Sequence, residues 1–231
     1  MNDVIFYTEF PQLVKDYPIY PAKDYKRKWV KDCAANFIKY KKRFPNALTA
    51  AKCPGLRTVM ESGYIVQNWF DFTIETSGDE YEFIVQYPDS LKEYLEVIGY
   101  DGLLINSFNT KFGPVNIPTY NNLGSIIKIW TPYHIEVPEG YSLSIQPIHY
   151  DDTPSFTACY GSLEAGMNVD FNVHVYWHEK NGKIFIPAGT PLCQVVLVKN
   201  QDSQMLINVA DKNIATKIKK LQLDKHDRFQ I

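Results

Sequence analysis

The sequence predicts a mostly β protein, an antiparallel β-sandwich or barrel-like domain with flanking N- and C-terminal helices. Between residues 126 and 199, short apolar runs alternate with turns that contain proline and glycine, a pattern typical of packed antiparallel strands. Within that stretch, residues 169–177 alternate apolar with polar side chains, so that one face of the strand would be buried and the other exposed. Two further apolar runs, at residues 64–75 and 81–87, predict a hairpin across an intervening Ser-Gly-Asp turn.

Length and composition favour one main domain with two appendages. The chain has 231 residues, of which 45% are hydrophobic, enough for one sizeable core. We expect an N-terminal arm and basic helix at residues 1–49, a β-rich core at residues 50–200, and a helix and tail at residues 201–231. The last helix is predicted from a narrow apolar stripe formed by Ile214, Ile218 and Leu221.

The two N-terminal segments differ in character. Residues 1–22 are rich in aromatic residues and proline, which predicts an extended arm rather than a regular helix, docked on its own domain or on a neighbour. Residues 24–44 are basic and repeat Trp29, Cys33 and Phe37 at helical spacing. The charge has two interpretations: a patch for phosphate or an acidic partner, or the solvated face of an amphipathic helix. The second is favoured because no glycine-rich or aromatic-stacking pattern accompanies the charge.

Local signals predict one further helix and two turns. Ser90 followed by Glu93 forms a capping box, and Gly99 is placed to end the helix that it opens. Pro-x-Gly sequences at residues 138–140 and 187–189 combine a fixed φ with a permissive residue. We therefore expect hairpin or corner turns at both places.

Charge and cysteine usage limit the classes of function. The net charge of −2 gives no global attraction to nucleic acid or anionic lipid, and we expect neither as a partner. No run approaches the roughly 18 apolar residues of a membrane span, and the start lacks a signal-peptide pattern, so we expect a cytoplasmic protein. The cysteines are scattered without CxxC spacing and predict free, buried thiols: Cys33, Cys53, Cys159 and Cys193.

Several fragments of residues 50–200 resemble an uncharacterised β-rich protein family of tailed bacteriophages, of the cyanophage type. The fragments are Cys53-Pro54-Gly55, Ser62-Gly63-Tyr64-Ile65-Val66, Trp69-Phe70-Asp71, Trp130, Gly140-Tyr141-Ser142, Pro147, Gly161, and Pro187-x-Gly189-Thr190-Pro191 with Gln194. The resemblance implies a phage accessory protein without an assigned activity. At residues 161–166 this chain departs from the family, whose paired aspartates are absent here.

A weaker similarity links the chain to the trimeric dUTPase and dCTP deaminase group. Residues 138–140, 161–164 and 189–194 follow the order of that group's proline-glycine strand, central hairpin and terminal strand. The similarity implies a nucleotide-binding β-domain. The aspartate that would orient water in the hairpin is absent, and Glu164 stands nearest to its position.

His149 and Asp151 are the candidate metal ligands. Residues two apart on a strand point the same way, so a histidine and a carboxylate could converge on one Fe(II) ion as in non-haem oxygenases. The third ligand would be His174 or His178. The alternative is a turn in which carboxylates cap free amides, and no arginine stands near enough after His174 to hold 2-oxoglutarate.

The leading functional hypothesis is a non-enzymatic phage accessory or structural module without a cofactor. It would act by protein–protein contact or self-association through the arm at residues 1–22, with itself or another phage or host protein as partner, in the host cytoplasm or in the virion. The alternatives are a small-ligand or nucleotide-binding β-domain and an Fe(II)-dependent oxygenase. The candidate binding residues are His149, Asp151, Glu164 and His174.

Overall fold

The computed structural model describes residues 4–43, 50, 53–78, 82–98, 100, 102–107, 125–152, 155–167, 169–200, 212, 213, 216, 217 and 220. The chain divides into two compact units. The first comprises Met1–Arg27 and Thr58–Asn200, and the second comprises Lys28–Arg57 and Gln201–Ile231.

The first unit is built mainly from strands. They are β1 (Ile5–Tyr7), β2 (Tyr20–Pro21), β3 (Tyr64–Gln67), β4 (Phe72–Ser77), β5 (Ile84–Gln86), β6 (Ile105–Ser107), β7 (Ile126–Glu136), β8 (Tyr141–Gln146), β9 (Phe156–Ala158), β10 (Gly161–Glu164), β11 (Val169–Trp177), β12 (Asn181–Ile186) and β13 (Pro191–Lys199). The continuous α-helices in the described part of the chain are α1 (Pro11–Asp16), α2 (Lys28–Arg43), α3 (Pro54–Glu61) and α4 (Asp89–Ile98), and a short 3-10 helix spans Ala22–Asp24.

The strands form three sheets. The first has the order β1-β7-β11-β9, with β6 also paired to β7; the second has the order β10-β8-β13-β3-β2; the third has the order β12-β4-β5. All of these pairings are antiparallel. The predicted mostly antiparallel β fold is therefore confirmed, and within the described residues no sheet closes into a barrel.

One core is shared by the three sheets. The strand predicted at residues 169–177 is β11, whose Phe171, Val173, Val175 and Trp177 are buried, whereas its polar residues are partly exposed. These side chains belong to the same apolar cluster as Phe72 of the third sheet and Leu143 and Val195 of the second. Each such side chain contributes about 1.5–3 kcal/mol on burial, so the alternating pattern directly stabilises the fold.

The N-terminal segment packs on its own unit. Strand β1 pairs with β7, and the Phe6 ring packs edge-on against Tyr133 and Phe171. The expectation that this segment contains no regular helix was wrong, because α1 forms at Pro11–Asp16 with its proline in the first turn and Leu13 buried. Proline is favoured there, since its fixed φ suits a helix and its missing N–H would have had no partner.

Both predicted Pro-x-Gly turns are corners between sheets. The first carries the chain from β7 in the first sheet to β8 in the second, and the other from β12 in the third sheet to β13 in the second. Gly140 and Gly189 have φ values of 78° and 83°, which glycine adopts without steric cost. The Tyr141 N–H donates to the Pro138 carbonyl at 3.1 Å and closes the first corner.

The apolar run at residues 64–75 is two strands in different sheets rather than one. Between β3 and β4 the chain leaves the second sheet at Asn68, whose N–H donates to the Thr190 carbonyl at 2.8 Å and whose carbonyl accepts from the Gly189 N–H at 2.7 Å. The hairpin itself is confirmed, because β4 pairs with β5. Its predicted turn extends into residues 79–81, which lie outside the described residues.

A buried amide joins α3 to the second sheet. Gln194 on β13 is fully buried and donates through Nε2 to the Val59 carbonyl at 2.8 Å and the Ser62 carbonyl at 2.6 Å. These carbonyls lie at the end of α3, where a helix has no internal donors left. Gly63 follows with a φ of 69°.

The remaining predicted helices are partly described. The capping-box helix is α4, but it begins at Asp89, one residue before the expected cap Ser90, and Gly99 lies outside the described residues. The predicted basic helix is α2. In the C-terminal segment residues 212, 213, 216, 217 and 220 are helical, whereas the stripe of Ile214, Ile218 and Leu221 lies outside the described residues.

Candidate functional site

The candidate site is a pocket in the first unit, which we call the corner pocket. It lies where the connection from β8 to β9 meets the edge strand β9 and the start of β13, and it has a volume of about 460 Å³. Its lining residues are Tyr25, Pro147, Ile148, Tyr150, Asp151, Asp152, Ser155, Phe156, Thr157, Ala158, Ile186, Thr190, Pro191 and Leu192. Pockets of this size, with apolar walls and a few polar groups, are typical small-molecule sites.

Asp151 and Tyr25 form the polar side of the pocket. The Tyr25 hydroxyl donates to Asp151 Oδ1 at 2.6 Å, and the same oxygen accepts from the Asp152 N–H at 2.9 Å. Burial, and then the bond to Asp151, raise the pKa of Tyr25 well above its ordinary value of 10.0. The phenol therefore stays protonated and holds the carboxylate in one orientation.

Arg27 fixes the turn behind that wall. Its side chain is only 4% exposed, its Nε donates to the His149 carbonyl at 2.7 Å, and its guanidinium lies over the Tyr25 ring, 4.9 Å from the centroid. Among the described residues its Nη2 has no hydrogen-bond partner. Burial lowers the pKa of Arg27, but a guanidinium remains charged at neutral pH.

His149 is held inside the turn as a neutral ring. Its Nε2 lies 2.8 Å from Gln146 Oε1. Burial, and then the positive charge of Arg27, lower the pKa of His149 below its ordinary value of 6.5. The imidazole is thus a hydrogen-bonding group of the turn at neutral pH and carries no charge there.

Tyr150 occupies a strained backbone position at the pocket wall. Its φ is 57°, and within the described part of the chain it is the one residue other than glycine with a positive φ. The side chain is 50% exposed and lines the pocket. A left-handed conformation costs an L-residue about 1–2 kcal/mol, and such strain persists only where the surroundings enforce it. Here the enforcing contacts are the bonds to His149 and Asp151 on either side.

Thr157 and His178 add a second polar group. Thr157 Oγ1 on β9 lies 2.6 Å from His178 Nε2, and the His178 N–H donates to the Ser155 carbonyl at 3.0 Å. Burial lowers the pKa of His178, so its ring is neutral at pH 7. The pair fixes the Thr157 hydroxyl at the pocket wall.

The pocket lining is acidic. Asp151 and Asp152 are its charged members, and Arg27, behind the wall, offsets part of their charge. An anionic group placed inside the pocket would therefore meet carboxylates, whereas hydroxyl or amino donors would meet acceptors. The lining disfavours a polyphosphate chain.

The four predicted site residues do not come together. His149 and Asp151 share the turn after β8, and both contact the N-terminal segment. Glu164 is exposed on β10 of the second sheet, where it pairs with Ser142. His174 lies on β11 of the first sheet opposite Lys128, and burial, and then Lys128, lower its pKa.

The structure does not gather a metal-binding set from these residues. Within the described residues no group of three or more His, Cys, Asp or Glu side chains could hold a metal ion. The cysteines are free thiols as predicted, but Cys193 alone of the four is buried, whereas Cys33 and Cys159 are partly exposed and Cys53 is exposed. Burial raises the pKa of Cys159 to about 11, which keeps that thiol protonated and unreactive.

The sequence reasoning missed Tyr25, Arg27, Tyr150 and Thr157. Tyr25 and Arg27 stand in a basic segment that resembles a solvated helix, and neither has a motif around it. Tyr150 carried one available signal, since it stands between two candidate ligands and just before the Asp151-Asp152 turn. A tyrosine in a turn gives no sequence indication of a positive φ, so only the three-dimensional structure identifies it.

Comparison with known proteins yields little. No family model matches the chain, and no curated protein matches it. Among solved structures, a mutant dUTPase of Staphylococcus bacteriophage 80alpha is similar over 65% of this chain and 84% of its own, with 12% identity and a TM-score of 0.34. A likeness of this degree assigns neither fold nor function, and the suggested membership of a phage family stays a prediction.

Within the described residues no helix is long and apolar enough to span a bilayer.

Proposed function

We propose that this protein binds a small organic molecule in the corner pocket. The observation that carries the proposal is a pocket of about 460 Å³ whose apolar walls surround oriented polar groups. Asp151 is oriented by Tyr25 and Thr157 by His178, so the polar groups are fixed before a ligand arrives. Such preorganisation lowers the entropic cost of binding.

The contacts behind the pocket also support this proposal. A buried arginine, a partly buried tyrosine hydroxyl and a strained tyrosine backbone are costly features for a surface turn. A short loop between two strands needs none of them. A function for the turn explains why they are combined there.

The leading hypothesis from the sequence, association through the arm at residues 1–22, loses its main argument. It required apolar residues at positions 1–22 that need the surface of a partner. Instead, Leu13 is buried and Phe6 and Phe10 pack against the core of the first unit. Association with itself or with a phage or host protein stays a prediction, which light scattering of the full chain would check.

A pocket-filling substitution tests the proposal. Ser155→Phe places a ring in the pocket, and Ser162→Phe adds the same ring to the exposed edge strand β10. The three proteins would be screened by thermal shift against nucleosides, nucleoside triphosphates with Mg²⁺, sugars, amino acids and aromatic amines. A ligand that binds only the folded state raises the melting temperature.

We expect at least one class to raise the melting temperature of the wild type and of Ser162→Phe but not of Ser155→Phe. A response that survives in Ser155→Phe would place the ligand elsewhere, and the absence of any response would count against a binding function. Fe(II) with 2-oxoglutarate belongs in the same screen, together with metal analysis of protein purified without chelator, because the iron-dependent alternative stays a prediction.

A further inference from the structure

Resting on this proposed function, we propose that the corner pocket takes a primary amine in its protonated form, an ammonium group on an apolar body, and that Asp151 selects this class. The ammonium group would donate a hydrogen bond to Asp151 Oδ2, while the hydrocarbon body lies against the apolar walls. Neutral alcohols, carboxylic acids and phosphate esters of similar shape would bind less tightly.

The second oxygen of Asp151 is the first step of the argument. Asp151 lines the pocket, and its hydrogen bonds from the Tyr25 hydroxyl and the Asp152 N–H both reach Oδ1. Within the described residues Oδ2 accepts no hydrogen bond, and Asp151 forms no ion pair. Each oxygen of an ionised carboxylate has two lone pairs and accepts hydrogen bonds without donating any. Asp151 therefore retains an acceptor for a ligand.

The fixed orientation of that carboxylate is the second step. The Tyr25 hydroxyl comes from a segment 126 positions away, and its ring is partly buried beneath the Arg27 guanidinium. Burial, and then the bond to Asp151, raise the pKa of Tyr25, so the hydroxyl remains a donor. Because two donors hold Oδ1, the direction of Oδ2 is set before a ligand arrives, which lowers the entropic cost of binding.

The charge around Asp151 is the third step. The residues that line the pocket, all within the described part of the chain, include no lysine or arginine. Arg27 lies behind the wall and donates its Nε to the His149 carbonyl, and burial, and then Arg27, lower the pKa of His149. A cationic ligand would therefore supply the charged donor that the turn does not give to Asp151. Hydrogen bonds with a charged group are roughly twice as strong as neutral ones.

The apolar walls define the rest of the ligand. Ile148, Phe156 and Leu192 line the pocket beside Asp151, and Phe156 and Leu192 are almost fully buried. Hydrocarbon placed against these side chains leaves water, which favours binding. An amine whose remaining atoms are mainly carbon and hydrogen thus matches both the carboxylate and the walls.

The test uses the full chain at neutral pH and probes that share one ring and differ in the head group. Cyclohexylmethylamine carries the ammonium group, cyclohexylmethanol is its neutral counterpart, and cyclohexanecarboxylate is the anionic one. The N-trimethylated amine keeps the positive charge but has no N–H donor. In ligand-detected NMR titrations we expect the amine to bind about tenfold more tightly than the alcohol. The trimethylated form should bind more weakly than the amine, and the carboxylate should bind most weakly.

Matched variants separate Asp151 from negative charge elsewhere. Asp151→Asn keeps an amide oxygen that accepts from Tyr25 but removes the charge. It should weaken binding of the amine by about tenfold and binding of the alcohol by less than about threefold. Glu164→Gln removes the same charge from the exposed edge strand β10 and should change neither affinity. Asp151→Ser serves as a second uncharged variant if the asparagine variant fails to fold.

The outcomes are distinct. An unchanged preference for the amine in the uncharged variants would overturn the role of Asp151, and equal binding of the trimethylated amine would overturn the hydrogen bond. If the alcohol binds as tightly as the amine and Ser155→Phe abolishes both, the proposed pocket stands and this inference fails. Absence of binding by every probe would also overturn this inference. If the probes bind and Ser155→Phe affects none of them, the proposed function itself fails.

Discussion

Both ends of β8 need a left-handed residue, and different residues stand there. Gly140, just before the strand, has a φ of 78°, and no described atom beyond its chain neighbours lies within 4 Å of where its Cβ would be. Tyr150, four residues after the strand, has a φ of 57° and carries a large half-exposed ring. Glycine adopts this conformation freely, and tyrosine does so at a cost of about 1–2 kcal/mol. The difference indicates that the backbone of the first turn is free of steric cost, whereas the backbone of the second must be held in place by contacts with other parts of the chain.

The two turns also differ in what holds them. The corner at Gly140 is closed by a backbone hydrogen bond between Tyr141 and Pro138. The turn at Tyr150 depends on Arg27 and Tyr25, which are distant in sequence. The first turn should therefore tolerate substitution of its own residues, and the second should respond to changes made elsewhere in the chain.

The largest loss of stability is expected at a glycine that has a positive φ and also leaves no room for a Cβ atom. At Gly63 an added Cβ would lie 2.0 Å from the Val195 carbonyl oxygen, and φ is 69°. Gly63→Ala should lower the free energy of unfolding by about 3 kcal/mol or more, whereas Gly140→Ala, which has open space, should cost about 1 kcal/mol. Urea unfolding of both variants measures this. Equal losses would show that backbone conformation alone, and not space, decides the cost.

The second effect concerns the support of the strained turn. Arg27→Ala removes the buried donor to the His149 carbonyl and should lower the free energy of unfolding by about 2–3 kcal/mol. The neighbouring Lys26, whose side chain is exposed and donates to the Lys23 carbonyl at 3.2 Å, provides the control. Lys26→Ala should change stability by less than about 0.5 kcal/mol. A similar small loss for Arg27→Ala would mean that the turn holds its shape without the arginine.

The third expected effect is a small gain in stability. Tyr150→Gly removes the steric cost of the left-handed backbone but raises the entropy of the unfolded chain. The free energy of unfolding should therefore rise by no more than about 1 kcal/mol. Chemical denaturation provides the measurement. A loss of stability would show that the ring supports the fold, which would remove the distinction between the two ends of β8.

The last expected effect is a pH dependence of stability, to which His149 in the turn at Tyr150 contributes. Burial lowers the pKa values of His149, His174 and His178 from the ordinary 6.5 that they regain on unfolding. Below pH 6.5 the unfolded chain binds these protons more readily, so stability is complete above that pH and falls as the pH drops through the lowered pKa values. Unfolding at pH 7 and pH 5 should show a lower free energy at pH 5. His149→Gln should reduce the difference, and an unchanged or larger difference in that variant would contradict the assignment.

Local sequence patterns predicted much of the fold. The alternation in β11, the hairpin of β4 and β5, and the turns that end in Gly140 and Gly189 follow from burial period and backbone freedom, which neighbouring residues determine. The pattern failed at residues 64–75, because an apolar run does not reveal a change of sheet. It failed also at α1, where tertiary packing of Leu13 stabilises a helix of one or two turns that is marginal by itself.

Local sequence patterns specify strand β11, the β4–β5 hairpin, the corner glycines and the position of His149 and Asp151 in one turn. The surroundings of that turn depend on tertiary packing. Tyr25 meets Asp151 across 126 positions and Arg27 meets His149 across 122, and no local pattern encodes contacts at such separations. They form because β2 and the residues after it pack beside β3, which brings the N-terminal segment to the end of β8. These long-range contacts form only when the whole core folds and brings distant segments together. The pocket and the positions of Tyr150 and Arg27 therefore depend on the complete fold rather than on any one segment.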